Sequence, residues 1–356
     1  MAYDEYTGRE PLEDPEGMEN TRDSSRPGTA SRRRGRKKRG LFLIFSLLLL
    51  AVGIFLMVID MKRDLRHGVC RCEGGRMIEM PAVPDQEKIE KTSLGIKAVS
   101  ETFPDIQQYM MLVPSAACIQ SEYLPENTDL RDQAADLNRI RTSLAGSLDW
   151  IDLIPVFREH SGEKIYYATD VYLTGWGSRY ARDAAIAGMD ADKPEGHDVC
   201  YLLSDTFSGR LAGDRKPLQR FLGTGKERLE IYVPEEEAAY YRIDEASGKW
   251  YGSLYDSAAA ESREPFNVFF GGERPLTEIR TEAVNGEILL VIGDRVADSV
   301  VPGFVSSFEK IILVHPAKST KTIENLISEY QPTKILYLYG ANMFMNDRAL
   351  LRTLGE

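Results

Sequence analysis

Residues 288–299 read ILLVIGDRVADS. Five apolar residues run without interruption and stop at Gly293-Asp294. A short apolar run ended by a turn is the pattern of a strand buried on both faces. The pattern recurs downstream at 310–314 and 334–339, with helical segments expected at about 298–307 and 322–330. Strands alternating with helices predict a mostly parallel sheet covered on both sides. Such sheets put their sites at the carboxyl ends of the strands. The Gly293-Asp294-Arg295 turn therefore falls where chemistry is expected.

Upstream, Ile89, Ile96, Val99 and Phe103 mark one face of a helix at about 85–103, and residues 109–113 (YMMLV) read as a strand ending at Pro114. Residues 129–144 read as an amphipathic helix, with Leu130, Leu137, Ile140 and Leu144 on one side. Residues 148–153 are expected to form the next strand. Thr174 is placed to cap a helix running to about Ala187, with Gly188 as its stop. Residues 200–285 read as a β-rich insertion, with strands at 229–233, 240–243 and 268–270. Asn285-Gly286 reads as a hairpin turn feeding the strand at 288. The aromatics of this stretch (Tyr240, Tyr241, Trp250, Tyr251, Tyr255, Phe269, Phe270) read first as core or sheet surface, and second as sugar-stacking groups.

The chain has 356 residues and a formal net charge of -11. The first forty residues hold ten basic and eight acidic side chains, which leaves the remainder at -13. An acidic body argues against a nucleic-acid partner. The four cysteines (Cys70, Cys72, Cys118, Cys200) are too few for a disulfide scaffold, and Cys70 and Cys72 are too close in sequence to bridge readily. With no C-x-x-C pair and four scattered histidines, neither a metal site nor a cofactor is expected.

Residues 1–40 combine Gly, Pro, Ser and both charge signs, the composition of a disordered tail. It ends in a basic cluster from Arg32 to Arg39. The next nineteen residues, 41–59, carry no charge. A helix of that length spans about 28 Å, close to a hydrocarbon core. A cleaved signal peptide fits less well, because the lead is long and no small-x-small site precedes Asp60. The expected order is a cytoplasmic tail (1–40), a membrane-spanning helix (41–59), a stalk (60–75) and an extracytoplasmic body (76–356). The basic cluster before the span sets that orientation.

Residues 169–177 read TDVYLTGWG. This block resembles the signature of the DHHW family, roughly T-D-H-H-W-T-x-x-G. Thr169, Asp170, Thr174 and Gly177 keep their places, while Val171, Tyr172 and Leu173 replace His-His-Trp. A second landmark is the turn at 293–299. In the SGNH-type hydrolases and acyltransferase relatives that it resembles, this turn delivers a nucleophilic serine. Here Gly293, Asp294, Ala297 and Ser299 fit, and Arg295 occupies the nucleophile position. Further agreement comes from 110–114, Leu124-Pro125, Gly271-Gly272 and 335–339. The resemblance implies a three-layer α/β fold and, in complete members, a Ser-His-Asp acyl-transfer site acting on cell-surface polysaccharide.

In that chemistry a serine hydroxyl needs an imidazole to take its proton, and a carboxylate orients the imidazole. Asp170 remains as an orienter. Tyr172 stands in the likely base position, and a phenol is a poor base at neutral pH. Arg295 stays protonated and cannot attack a carbonyl. The expectation is thus a degenerate cleft containing Asp170, Tyr172, Thr174, Asp294 and Arg295, in which Arg295 reads either as a solvated loop residue or as a fork onto Asp170. Asp294 is read equally as a helix cap. Ser299 and Ser115 are weak substitute nucleophiles, and His160, His197 and His315 weak substitute bases. The resulting reading is a single-pass bacterial envelope protein that binds or assists in polysaccharide assembly or O-acetylation, with polysaccharide and a membrane-bound acyltransferase as partners. The rivals are an active serine esterase or O-acetyltransferase and a structural envelope component.

Overall fold

The computed structural model describes residues 31–66, 68–194, 196–215, 226–235, 239–245 and 247–356. The expectation for 1–30 and for His67 lies outside them. The chain divides into two compact units, 1–59 and 60–356.

Helix α1 (Ser31–Arg66) contains the uncharged run but starts ten residues before it. The basic cluster is therefore helical in backbone rather than an irregular tail, in keeping with the good helix propensity of Arg and Lys. Side chains are described at 41–56, 58 and 59 of this helix. Among the described residues no helix is long and apolar enough to cross a membrane.

The expected stalk is shorter than 60–75. Strands β1 (Val69–Arg71) and β2 (Met77–Glu79) already form an antiparallel hairpin. Cys70 and Cys72 are buried in it beside Ile78, as free thiols. Helix α2 (Gln86–Thr102) follows, capped by Asp85, whose carboxylate accepts from the Lys88 amide at 3.1 Å. Then come β3 (Gln107–Val113), α3 (Ala116–Ile119) and α4 (Gln133–Ser143). The strand expected at 148–153 is only β4 (Asp149–Trp150), because Asp152 caps a helix, α5 (Leu153–Glu159). Helix α6 (Gly175–Gly188) begins as expected, with the Thr174 hydroxyl accepting from the Gly177 amide.

The central sheet joins β3 and β4 to β7 (Tyr240–Asp244), β8 (Lys249–Tyr251), β9 (Leu276–Thr281), β10 (Ile288–Gly293), β11 (Lys310–Val314) and β12 (Lys334–Gly340). Its order is β4-β3-β12-β10-β11-β9-β7-β8. The first five strands are parallel, and beyond β11 the strands β9, β7 and β8 follow, each antiparallel to the one before it. Within the expected β-rich insertion at 200–285, β7, β8 and β9 extend the main sheet. Among the described residues, β5 (Asp198–Phe207) and β6 (Glu227–Pro234) form a separate ribbon. Two expectations are corrected. Asn285-Gly286 is not a hairpin turn, because β9 and β10 are separated by β11. Residues 268–270 do not form a strand: Val268 ends a short 3-10 turn (265–268), and Phe269 makes an isolated bridge to Tyr255. Phe269 and Phe270 are core, while Trp250 is exposed and stacks on Tyr241 at 4.6 Å.

Strand β10 shows why the sheet is doubly covered. Leu289 and Val291 point into one apolar cluster, Leu290 and Ile292 into the other, and none is exposed. Burial of each such side chain contributes roughly 1.5–3 kcal/mol. One face is covered by α5 and α6 (Phe157, Ala181, Ala185). The other is covered by α2, α4 and α8 (Ile323–Tyr330), through Ile96, Ile140 and Leu326. The outcome is a three-layer α/β fold with a mixed sheet. Helices α7 (Val296–Val300), α9 (Ala341–Asn346) and α10 (Ala349–Thr353) complete it.

Candidate functional site

The carboxyl ends of β3, β10 and β12 open into a cavity of about 620 Å³. Ser115 lines it after β3, Asp294 and Arg295 after β10, and Asn342 after β12; Tyr172 and Arg210 come from the loops above. The two sequence landmarks thus meet at one place.

The turn after β10 is shaped by close packing. A Cβ on Gly293 would lie 2.4 Å from the Leu338 carbonyl oxygen and 2.9 Å from Ala297 Cβ, so only glycine fits. The Asp294 carboxylate accepts from the Val296 amide at 3.0 Å and from the Gly340 amide at 3.1 and 3.2 Å. It ties two strand ends together besides capping the following turn. Burial raises its pKa to about 6, against the pull of those amides and of His315.

Arg295 extends from this turn and donates to Asn267 Oδ1 at 3.0 Å. Its guanidinium lies 5.6 Å from the centre of the Phe266 ring, and its Nε 3.6 Å from Asp298. The expected fork onto Asp170 does not form. Among the described residues, a cation beside Asp170 is Arg210, with Nε at 3.7 Å. Strand position explains the difference. Arg295 follows a buried strand and turns toward Asn267, whereas Arg210 sits on a segment fastened directly to the Asp170 loop.

That fastening is extensive. Thr169 Oγ1 accepts from the Gly209 amide at 2.8 Å, and Asp170 accepts from the Arg210 amide at 2.9 Å. A Cβ on Gly209 would lie 2.3 Å from the Thr169 carbonyl oxygen, so the two loops touch only because this residue is glycine. Glu227 accepts from the amides of Ala168 (2.6 Å) and Thr169 (2.9 Å) and from the Thr169 hydroxyl (2.6 Å). Burial raises the Glu227 pKa even so.

Tyr172 is buried and stacks on Phe266, ring centres 4.1 Å apart at 22°. The Arg210 guanidinium lies 5.1 Å from the ring centre. Burial pushes the phenol up to about 12, against Arg210 and Arg295, which pull it down. At neutral pH it is a protonated, stacked ring and takes no proton from a neighbour.

The remaining expected residues divide. Ser115 lines the cavity, and its hydroxyl has no hydrogen-bond partner among the described residues. Ser299 faces elsewhere, lining a small separate pocket with Arg182 and Tyr255 and donating to the Val296 carbonyl at 3.1 Å. Thr174 is spent as a helix cap and does not line the cavity. His160 stacks on Tyr180 at 3.9 Å and pairs with Glu163, and His197 pairs with Glu235. His315 lies closest to the site, buried with Nε2 2.9 Å from Asp298. Burial pulls its pKa down, but Asp298 and other carboxylates outweigh that and leave it raised. Sequence reading missed Arg210, Glu227, Phe266 and Asp298, for which no motif stands out. Among the described residues no cluster of His, Cys, Asp and Glu is suited to hold a metal.

The layered sheet with its site at the strand ends defines an SGNH hydrolase-like α/β domain. The family described as SGNH hydrolase-like domain, acetyltransferase AlgX, matches residues 82–261, and the chain belongs to it. A DHHW family protein from Eubacterium siraeum superposes with a TM-score of 0.68 at 18% identity, covering 80% of this chain and 93% of that one. Bacillus cereus PatB1, in a structure with a sulfonyl adduct, gives 0.64 at 17% identity, covering 79% and 96%. These likenesses establish the fold. No curated protein matches the chain.

Proposed function

We propose that the protein is a membrane-anchored, extracytoplasmic member of its family that binds a cell-surface glycan without acylating it. It serves as an accessory component of polysaccharide assembly or O-acetylation in the bacterial envelope, beside a membrane-bound acyltransferase. The observation that carries this reading is the pairing of Tyr172 and Arg295 at the base and nucleophile positions, both lining one cavity. Neither group does the chemistry those positions require. The polysaccharide link rests on family membership. Anchoring rests on the uncharged run 41–59, whose described large apolar side chains are exposed in this chain, and on the basic cluster before it.

The test is a chromogenic acetyl ester together with a sulfonyl fluoride, applied to the detergent-solubilised full chain. Turnover at the buffer rate and no sulfonyl adduct by mass spectrometry are expected. The unpartnered Ser115 hydroxyl favours a second reading, a relocated nucleophile. Ester turnover abolished by Ser115→Ala, with an adduct on that residue, would establish it and overturn the first.

A further inference from the structure

Four carboxylates line the cavity: Glu79, Glu273, Asp294 and Asp347. Two guanidiniums, Arg210 and Arg295, line it too, and no lysine does. Each guanidinium already faces a carboxylate outside the lining, Arg210 that of Asp170 at 3.7 Å and Arg295 that of Asp298 at 3.6 Å. The cavity carboxylates are less well matched. Glu273 has His315 and Lys318 only at 3.9 and 3.8 Å. Glu79 accepts from the neutral Asn342 amide at 2.8 Å. Asp294 and Asp347 accept backbone amides and form no ion pair among the described residues. Lys88, whose charge acts on Asp347, is fully buried and donates to the Phe344 carbonyl.

A second observation is independent of this charge count. Tyr339, at the end of β12, is 2% exposed and lines the same cavity. Its hydroxyl has no hydrogen-bond partner among the described residues. Asp294 and Asp347 both act on this phenol electrostatically, so it lies in their neighbourhood. A buried hydroxyl without a partner costs about 1–3 kcal/mol, and a ligand that reached it would relieve that cost.

We infer that the cavity takes a sugar carrying a protonated amine, an amino-sugar unit lacking its N-acyl group, and disfavours uronates. The assignment rests on the glycan-binding reading above. An ammonium at Asp294 and Asp347 makes charge-assisted hydrogen bonds to acceptors that form no ion pair among the described residues. The sugar hydroxyls have Tyr339 and Ser115 as partners, and the stacked Tyr172 forms an aromatic wall. A sugar carboxylate would meet four like charges while both guanidiniums are already engaged. The volume suits a site for one or two sugar rings.

The test is calorimetric titration of the full chain in detergent micelles near pH 7. Its probes are a glucosamine tetramer, the fully N-acetylated tetramer and a tetragalacturonate. The glucosamine tetramer should bind about tenfold or more tightly than either of the others. Asp294→Asn and Asp347→Asn should each weaken it about tenfold and weaken the N-acetylated tetramer by less, so that the preference for the amine narrows. Circular dichroism checks that both variants are folded, and one folded variant suffices. Equal or tighter binding of the acetylated or uronate oligomer, lost in Tyr172→Ala, would overturn the amine assignment and leave the glycan reading standing. Glucosamine binding that neither substitution weakens would be general attraction of a polycation to an acidic protein, and would overturn it too. Failure of all three oligomers to bind would sink both readings.

Discussion

The turn at Gly293-Asp294-Arg295 grows directly out of a core strand, whereas the loop at 169–173 is held from outside. In the turn, glycine packs against the Leu338 carbonyl and Asp294 accepts the Gly340 amide of the neighbouring strand end. In the loop, the partners among the described residues include Gly209, Arg210 and Glu227, supplied by a distant part of the chain. Both deliver side chains to one cavity. The difference is that the turn inherits the rigidity of the sheet, while the loop depends on a few polar contacts around buried groups. A cavity assembled this way has one wall fixed by the sheet and one held by loop contacts.

Substituting the two contact glycines probes this most strongly. Gly293→Ala forces a Cβ against a strand backbone that cannot retreat, and should cost about 4 kcal/mol in urea unfolding. Gly209→Ala meets a loop that can yield, and should cost about half as much. Equal costs would mean that the loop is as rigid as the strand. Next in size is Glu227→Ala, which strands two amides and a hydroxyl. It should cost about 3 kcal/mol, with Glu227→Gln well below that. A neutral result for Glu227→Ala would show that the loop does not depend on its outside support.

The smallest effect is a pH dependence of the fixed wall. The folded pKa of Asp294 is raised to about 6, so folding favours its neutral form. The stability it contributes is full below about pH 4 and is lost as pH rises through about 6. Asp294→Asn stays neutral throughout. Relative to the parent, the variant should therefore gain about 2 kcal/mol between pH 4 and pH 7.5, read from urea midpoints at each pH. A gain in the opposite direction would mean that the carboxylate is stabilised where it sits.

Much of the fold was legible because apolar strands have a local signature. The runs at 288–292, 310–314 and 334–339 each became a parallel strand of one sheet. That Tyr172 and Arg295 line the cavity follows from their places at the two landmark turns, which can be read one residue at a time. The errors arose where partnership rather than pattern decides. A strand at 276–281 looks the same whether it turns back onto 288–293 or crosses to the far side of 310–314, and the structure takes the second course. The supposed fork from Arg295 to Asp170 failed for the same reason, because Arg210 carries no local mark of being the closer cation.

By itself the sequence determined the layered α/β class, the family frame around residues 169–177 and 293–299, the absence of Ser and His from their expected places, and an uncharged run of membrane-spanning length. These follow from residue identity and short-range periodicity. Only the tertiary structure decided which strands share the sheet, that Glu227 and Gly209 fasten the signature loop, and that four carboxylates and a buried tyrosine hydroxyl without a partner among the described residues line one cavity. Those depend on groups far apart in the chain, whose meeting is set by packing and by the need to satisfy buried polar atoms.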